Sequence, residues 1–364
     1  MTIHTFNPDW VSAPGDSISR LMSRNNQSVE SLSQNSGFSI EYIEKILLGH
    51  NKITRKFAEA ISNELGGNTD FWMKREKEYR NHKADLTNSF KSWVNEFPYA
   101  DLSKFGWVGI TKSVTEKYHN LLDYFSSDSI GDWENKFNGL LTETSYRVSN
   151  SFDSKALSVV SWLNRAEVEL TESELGIWDP VALEGKLEYL KSLTRTKDPA
   201  IFVPLIKKEL NIVGVSMSII PTPSGCALNG ATYTSKQGNP VIILSSRYLS
   251  DDQFWFTFFH EVAHVLLHLD RGLILEGGKT EEAIEHEADK FASNLLIPKE
   301  FEGELFTLSV KNWKKIPRFA KKIGVSSGII LGQLQFKKLI PPSHLNKLKT
   351  RYKWSKDNQL NLKN

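Results

Sequence analysis

The sequence predicts a multidomain α+β protein in which one domain holds a small β-sheet and the others are helical. Three observations lead there. Apolar residues recur at helical spacing through residues 15–82, and β-rich segments flank a Gly/Pro turn between residues 212 and 245. The chain's 364 residues also exceed one compact core of ordinary size.

The first domain is drawn at residues 1–82. Ile18, Leu21 and Met22 share one helix face, and Ser28 is placed to cap Val29–Gln34. Gly37 makes a turn, Ser39 starts IEYIEKILLG, and Thr54 caps RKFAEAISNELG, which Gly66 and Gly67 end. A fifth, amphipathic segment, FWMKREKEYRNHK, follows. Residues 83–195 read as a helical middle domain whose aromatics, among them Trp93, Trp107, Trp133 and Trp162, belong to a core.

Composition shifts after Pro199. IVGVSMSII at 212–220 is β-rich, and GATYT at 230–234 and VIILS at 241–245 form a hairpin across SKQGNP. Two helical patterns come next, one centred on His260 and one spanning Glu281–Leu296, stopped by Pro298. Together they define a mixed domain at 196–300. Residues 301–364 return to short helices rich in Lys and Arg, with a helix-turn-helix-like segment, FAKKIGVSSGIILGQLQ, turning at Gly324.

Charge and cysteine content narrow the function classes. A formal net charge of +2 barely favours a polyanion, so nucleic-acid binding requires a local patch. The single cysteine, Cys226, rules out a disulfide within the chain and fits a reducing compartment. The start, MTIHTFNPDWVSAPGDS, lacks the basic and apolar regions of a secretory signal. The longest apolar candidate, Phe254–Leu269, is interrupted by His260, Glu261, His264 and His268, short of the ~20 residues a bilayer needs. The expectation is a cytoplasmic protein without a membrane partner.

The chemistry concentrates in FFHEVAHVLLH, residues 258–268. His260 and His264, four apart, lie on one helix face, where one Zn²⁺ can take both nitrogens at ~2.0–2.1 Å. Glu261 stands beside the open coordination position as the general base, taking a proton from water and passing it to the leaving amine. The rest of that helix is apolar (Phe258, Phe259, Val262, Val265, Leu266), so three polar residues there would be costly without a purpose. His268 lies about 12 Å along the axis from His260, at ~1.5 Å per residue, and is assigned to the outer ring of the site or the helix end. The third ligand is Glu285 in EAIEHEADKFASNLLIP. Asp289, one turn on, accepts the free N–H of a zinc histidine. His286 and Glu287 point elsewhere and read as solvated. The spacing of HExxH and a later ExxxD resembles the gluzincins, with one zinc per chain. The longer HExxHxxGxxH arrangement is absent, because Leu267 stands at its glycine position.

These segments, HEVAHVLLH and EHEADKFASNLLIP, with VIILSSRYLSDD before them, resemble the ImmA/IrrE family of metallopeptidases over most of residues 200–340. The family's usual glycine before the second histidine is Ala263 here, equally small. The resemblance implies a zinc peptidase that cleaves a repressor-like partner, with His260, His264 and Glu285 as ligands and Glu261 as base. Residues 1–82 resemble the Xre/HigA type of helix-turn-helix, which implies a helix in the major groove of duplex DNA. Ser39, Tyr42, Lys45, Lys52 and Arg55 are its candidate DNA contacts; docking of a partner, or a homodimer, is the other role open to this module. The function expected is a zinc endopeptidase acting on a repressor or antitoxin-like protein, the substrate adding a strand at the edge of the 230–245 hairpin. Tyr233 and His268 are candidates for the transition-state donor. The alternative is a DNA-binding regulator or HigA-like antitoxin whose zinc fold senses rather than cleaves.

Overall fold

The computed structural model describes residues 12–148, 155–169, 175–235, 237–276 and 282–363. The first eleven residues of the N-terminal stretch read for a signal, and Glu281, lie outside the described residues. The helices are α1 (Pro14–Arg24), α2 (Val29–Ser36), α3 (Ile40–Leu47), α4 (Arg55–Leu65), α5 (Thr69–Glu96), α6 (Tyr99–Lys104), α7 (Val114–Tyr124) and α8 (Ile130–Val148). They continue with α9 (Ala156–Glu169), α10 (Pro180–Ser192), α11 (Pro199–Ile212), α12 (Asp251–Leu267), α13 (Glu282–Leu296), α14 (Glu302–Leu305), α15 (Lys315–Ile323) and α16 (Ser327–Phe336). The strands are β1 (Ser216–Ile219), β2 (Gly230–Thr234), β3 (Pro240–Leu244), β4 (Ile274–Leu275), β5 (Tyr352–Trp354) and β6 (Leu360–Leu362). The chain divides into two compact units, Met1–Val94 with Ser113–Tyr118, and Asn95–Lys112 with His119–Asn364.

In the first unit the caps do what their chemistry allows. Ser28 and Ser31 form a reciprocal capping box at α2, Ser39 Oγ accepts from Tyr42 N at 3.2 Å, and Thr54 accepts from Phe57 N. Gly37 ends α2 in the left-handed region at φ 72°, a conformation that costs glycine nothing. Ile18, Leu32, Ile43, Phe57, Ile61 and Trp72 form the buried centre. The helix expected over Phe71–Lys83 runs on to Glu96.

The second unit contains a four-stranded sheet ordered β1-β3-β2-β4. β2 and β3 make the expected antiparallel hairpin, with Gly230 opposite Leu244, while β1 runs parallel to β3. Residues 212–215 end α11 or turn after it rather than joining β1, and the two-residue β4 was not anticipated; it pairs with Ala231 and Thr232. β3 is buried along its whole length, so α12 can lie against β2 and β3. α13 and α16 also pack on α12. The C-terminal region departs from the helical expectation, because β5 and β6 form an antiparallel ribbon, with Tyr352 opposite Leu362. The segments YKW and LNL are too short to show a period, which left the ribbon invisible to pattern reading. α16 is buried through Ile329, Ile330, Leu331 and Leu334, so it is a core helix rather than a groove-reading one.

Candidate metal centre

α12 follows Ser250, with Asp251 and Asp252 in its positive first turn. It is buried nearly all round, as an apolar helix covered by a sheet and two helices must be. His260, Glu261 and His264 are therefore 1%, 0% and 0% exposed. Their ring and carboxylate groups converge with Glu285, which α13 presents from the adjoining face.

His260 Nε2 and His264 Nε2 stand 2.9 Å apart. Glu285 Oε2 is 3.2 Å from His260 Nε2, and its Oε1 is 3.7 Å from His264 Nε2. A tetrahedral ion with bonds of ~2.0–2.1 Å separates its ligand atoms by about 3.3 Å. The three donors thus occupy three corners of such a site, and two histidines with one glutamate is a donor set that leaves a corner open.

The outer nitrogens fix which way each ring faces. His260 Nδ1 meets Asp289 Oδ1 at 2.9 Å, so its Nδ1–H is donated outward and Nε2 keeps its lone pair for the centre. His264 Nδ1 meets His268 Nδ1 at 3.0 Å, and His268 Nε2 meets Glu287 Oε2 at 3.2 Å. Donation from His264 to His268 and from His268 to Glu287 again frees Nε2 of His264. Glu287, read from sequence as solvated, therefore ends this chain of hydrogen bonds although its side chain is 63% exposed.

Acidic groups crowd the centre. Burial and the charge of Glu276 raise the Glu261 carboxyl well above the usual range, although His260 and Thr232 oppose the shift. Burial likewise pushes Glu276 up to about 7. Burial alone would lower His260, yet hydrogen bonds to Asp289 and Glu285 raise it to about 11; burial and the neighbouring His260 charge lower His264 to about 4. A divalent cation at the converging nitrogens would relieve this crowding, so the residues present fit a metal. Glu261 Oε1 is a buried oxygen with no hydrogen-bond partner, and Glu261 Oε2 accepts from Thr232 Oγ1 at 2.6 Å.

Three residues here escaped the sequence reading. Thr232 and Glu276 gave no signal, since a lone Thr in a strand and a lone Glu after one are both common. Gly230 did give one: a glycine in a strand marks a close approach. A Cβ there would lie 2.2 Å from Glu261 Oε1, so only glycine leaves room for the buried carboxylate. Tyr233, a candidate donor, instead gives its hydroxyl to Glu167 Oε1 at 2.6 Å. The hairpin edge expected to take substrate is paired with β1 along β3, while on β2 the short β4 covers only Ala231 and Thr232. A cleft of about 180 Å³, lined in part by Phe256, Glu276, Asp289, Leu296 and Ile329, opens beside the centre.

In the first unit, Ser39 is engaged as a cap, and the Tyr42 ring stacks on Phe38 and meets the edge of Phe57. Lys45 Nζ lies 2.6 Å from Glu41 Oε1, and Arg55 Nε lies 3.6 Å from Glu59 Oε1. Lys52 is exposed and has no ion pair among the described residues.

The family model of the IrrE N-terminal-like domain, Peptidase_M78, matches residues 218–334, about a third of the chain, from within β1 into α16. No curated protein matches closely enough to count as a relative. No helix among the described residues is long and apolar enough to cross a membrane. The match encloses α12 and α13, so the stretch that carries the histidine–glutamate centre is the stretch similar to a peptidase domain.

Proposed function

We propose that this chain is a zinc-dependent endopeptidase that cleaves a regulatory protein of the repressor or antitoxin-like class, its N-terminal unit docking that partner or DNA. The observation that supports this reading is the free Oε1 of Glu261, buried beside a three-donor cluster that leaves one corner open. A purely structural zinc site would favour a fourth protein ligand.

Bound through His260, His264 and Glu285, zinc would acidify a water molecule and polarise the scissile carbonyl. Thr232 holds one oxygen of Glu261, so the other is presented in a fixed direction. Glu261 Oε1 accepts the proton of the attacking water and delivers it to the departing amine. Asp289, and His268 backed by Glu287, hold the two imidazoles in the tautomer that faces inward. A flexible segment laid along β4 would bring its backbone past Glu276 to the centre, because β4 is the sheet's outer strand beside β2 among the described residues.

The test uses zinc-loaded chain and its Glu261→Gln variant, each incubated with proteins encoded beside its gene, new N termini being read by mass spectrometry. The expected result is cleavage that chelation abolishes and that Glu261→Gln lowers by several orders of magnitude while zinc is retained. Equal cleavage by both would overturn the role of Glu261. No metal-dependent cleavage, beside an unchanged cellular effect of the variant, would favour a regulator in which the zinc fold senses.

A further inference from the structure

The second unit carries an open cleft of about 590 Å³, bounded by the segment after α10, by α15, by the turn before α16, and by the chain on either side of β5 and β6. Arg195, Lys197, Lys321, Lys347, Arg351 and Lys363 line it, all exposed, and none has an ion-pair partner among the described residues. That contrasts with their neighbours, since Lys322 reaches Glu304 at 2.5 Å and Lys337 reaches Glu302 at 3.3 Å. The one carboxylate among the described lining residues, Asp251, is 2% exposed and engaged, accepting from Ser326 Oγ at 2.8 Å and Thr350 N at 2.9 Å. A seventh cation, Lys349, is held by Asp252 at 2.6 Å.

Six like charges around one concavity repel each other, and nothing among the described lining residues neutralises them. An anion entering would meet a focused positive potential. Arg195 and Arg351 supply planar forks suited to phosphate oxygens. Among the described residues no aromatic side chain lines the cleft, so the lining itself offers bases no stacking platform. The volume lies within the range of ligand sites, ~300–1,000 Å³.

We infer that this cleft binds a chain of phosphates, either the backbone of a single nucleic-acid strand or a free oligophosphate, without reading base sequence. The site is separate from the metal centre and does not depend on the peptidase reading. It also differs from the groove-reading mode expected of a helix-turn-helix, because Lys321 of α15 is the one α-helical contributor, the other charges come from short turns and strand ends, and α16 itself is core.

The experiment measures fluorescence anisotropy of the full chain with a labelled oligothymidine strand of about twelve nucleotides, near the ~4–16 that single-strand sites span. Inorganic tripolyphosphate and polyglutamate serve as competitors. Lys321→Glu with Arg351→Glu should weaken strand binding roughly tenfold or more, and flatten its salt dependence by about 0.7 for each phosphate no longer neutralised. Lys321→Arg with Arg351→Lys should retain it, which guards against a folding defect. Lys322→Gln with Lys337→Gln, whose charges Glu304 and Glu302 already hold, should leave it unchanged. Displacement of the strand by tripolyphosphate identifies oligophosphate as sufficient, whereas binding that resists tripolyphosphate identifies the strand. No binding of strand or tripolyphosphate by the unaltered chain, binding indifferent to the charge reversals, or displacement by polyglutamate as effective as by tripolyphosphate would each overturn the inference.

Discussion

The surface of α3 and α4 and the facing sides of α12 and α13 are built on the same spacing and come to opposite ends. Glu41 and Lys45, and Arg55 and Glu59, stand four residues apart on exposed helices and form local ion pairs. Such pairs contribute little, because water and salt screen exposed charges. His260 and His264, and Glu285 and Asp289, stand four apart as well, but α12 is buried, so its pair has no solvent to face. Each buried nitrogen must then find a partner from another turn or element. The spacing supplies a common face; burial decides whether that face becomes a solvated pair or a ligand set.

The largest effect that would break this comparison is loss of the metal. His260→Ala or His264→Ala, purified and dialysed, should fall from about one zinc per chain to almost none by elemental analysis, since each removes one of three donors. Glu285→Ala should act in the same direction, and Glu287→Ala, which alters only the far end of the His268 chain, should act far less. Full zinc in the His264 variant would show that the buried pair is ordinary core histidine.

A second, smaller effect isolates the space around the base. Gly230→Ala places a methyl 2.2 Å from the present position of Glu261 Oε1, so the carboxylate must swing away. Cleavage of the partner should drop roughly 10–100-fold, the scale of a misplaced catalytic group. Zinc content should stay near normal. Unchanged cleavage would mean that Glu261 acts from a different rotamer.

Asp289→Ala should reduce zinc affinity by about 10–100-fold, measured by competition with a chromophoric chelator, because His260 loses the partner that fixes its tautomer. A change as large as that of His264→Ala would make Asp289 a ligand instead.

The parts of this molecule legible in its sequence are those where a local rule acts alone. Ser28, Ser39 and Thr54 announce helix starts because their oxygens satisfy nearby N–H groups, and the β2–β3 hairpin follows from its turn. HExxH can be read because both histidines belong to one helix. What could not be read depends on elements meeting in space. Glu276 reaches the centre only because β4 pairs with β2, and the service of Gly230 to Glu261 exists only once α12 lies on the sheet. The basic cleft gathers Arg195, Lys321, Lys347 and Lys363 from distant stretches of chain, so the Lys and Arg excess legible after residue 301 did not by itself show a concavity.

The smallest effect concerns the exposed pairs, and it tests whether pairing governs charge as the comparison requires. Lys45 is tied to Glu41, whose carboxyl that lysine holds below its ordinary range, so little of its charge is offered outward. Lys45→Ala should therefore weaken duplex binding only slightly. Lys52→Ala, which removes a cation with no ion pair among the described residues, should weaken it more and reduce the salt slope by about 0.9. Glu41→Gln frees Lys45 and removes a charge that repels phosphate, so affinity should rise by a fewfold. The comparison is made in full-length chain already carrying Lys321→Glu and Arg351→Glu, so that the second unit's cleft does not mask the change. Gel shifts at low salt give the ranking. If Lys45→Ala costs as much as Lys52→Ala, the ion pair opens freely in solution, and pairing in the structure does not predict which cations act. If neither variant matters and Glu41→Gln is silent, the module docks a protein rather than duplex DNA.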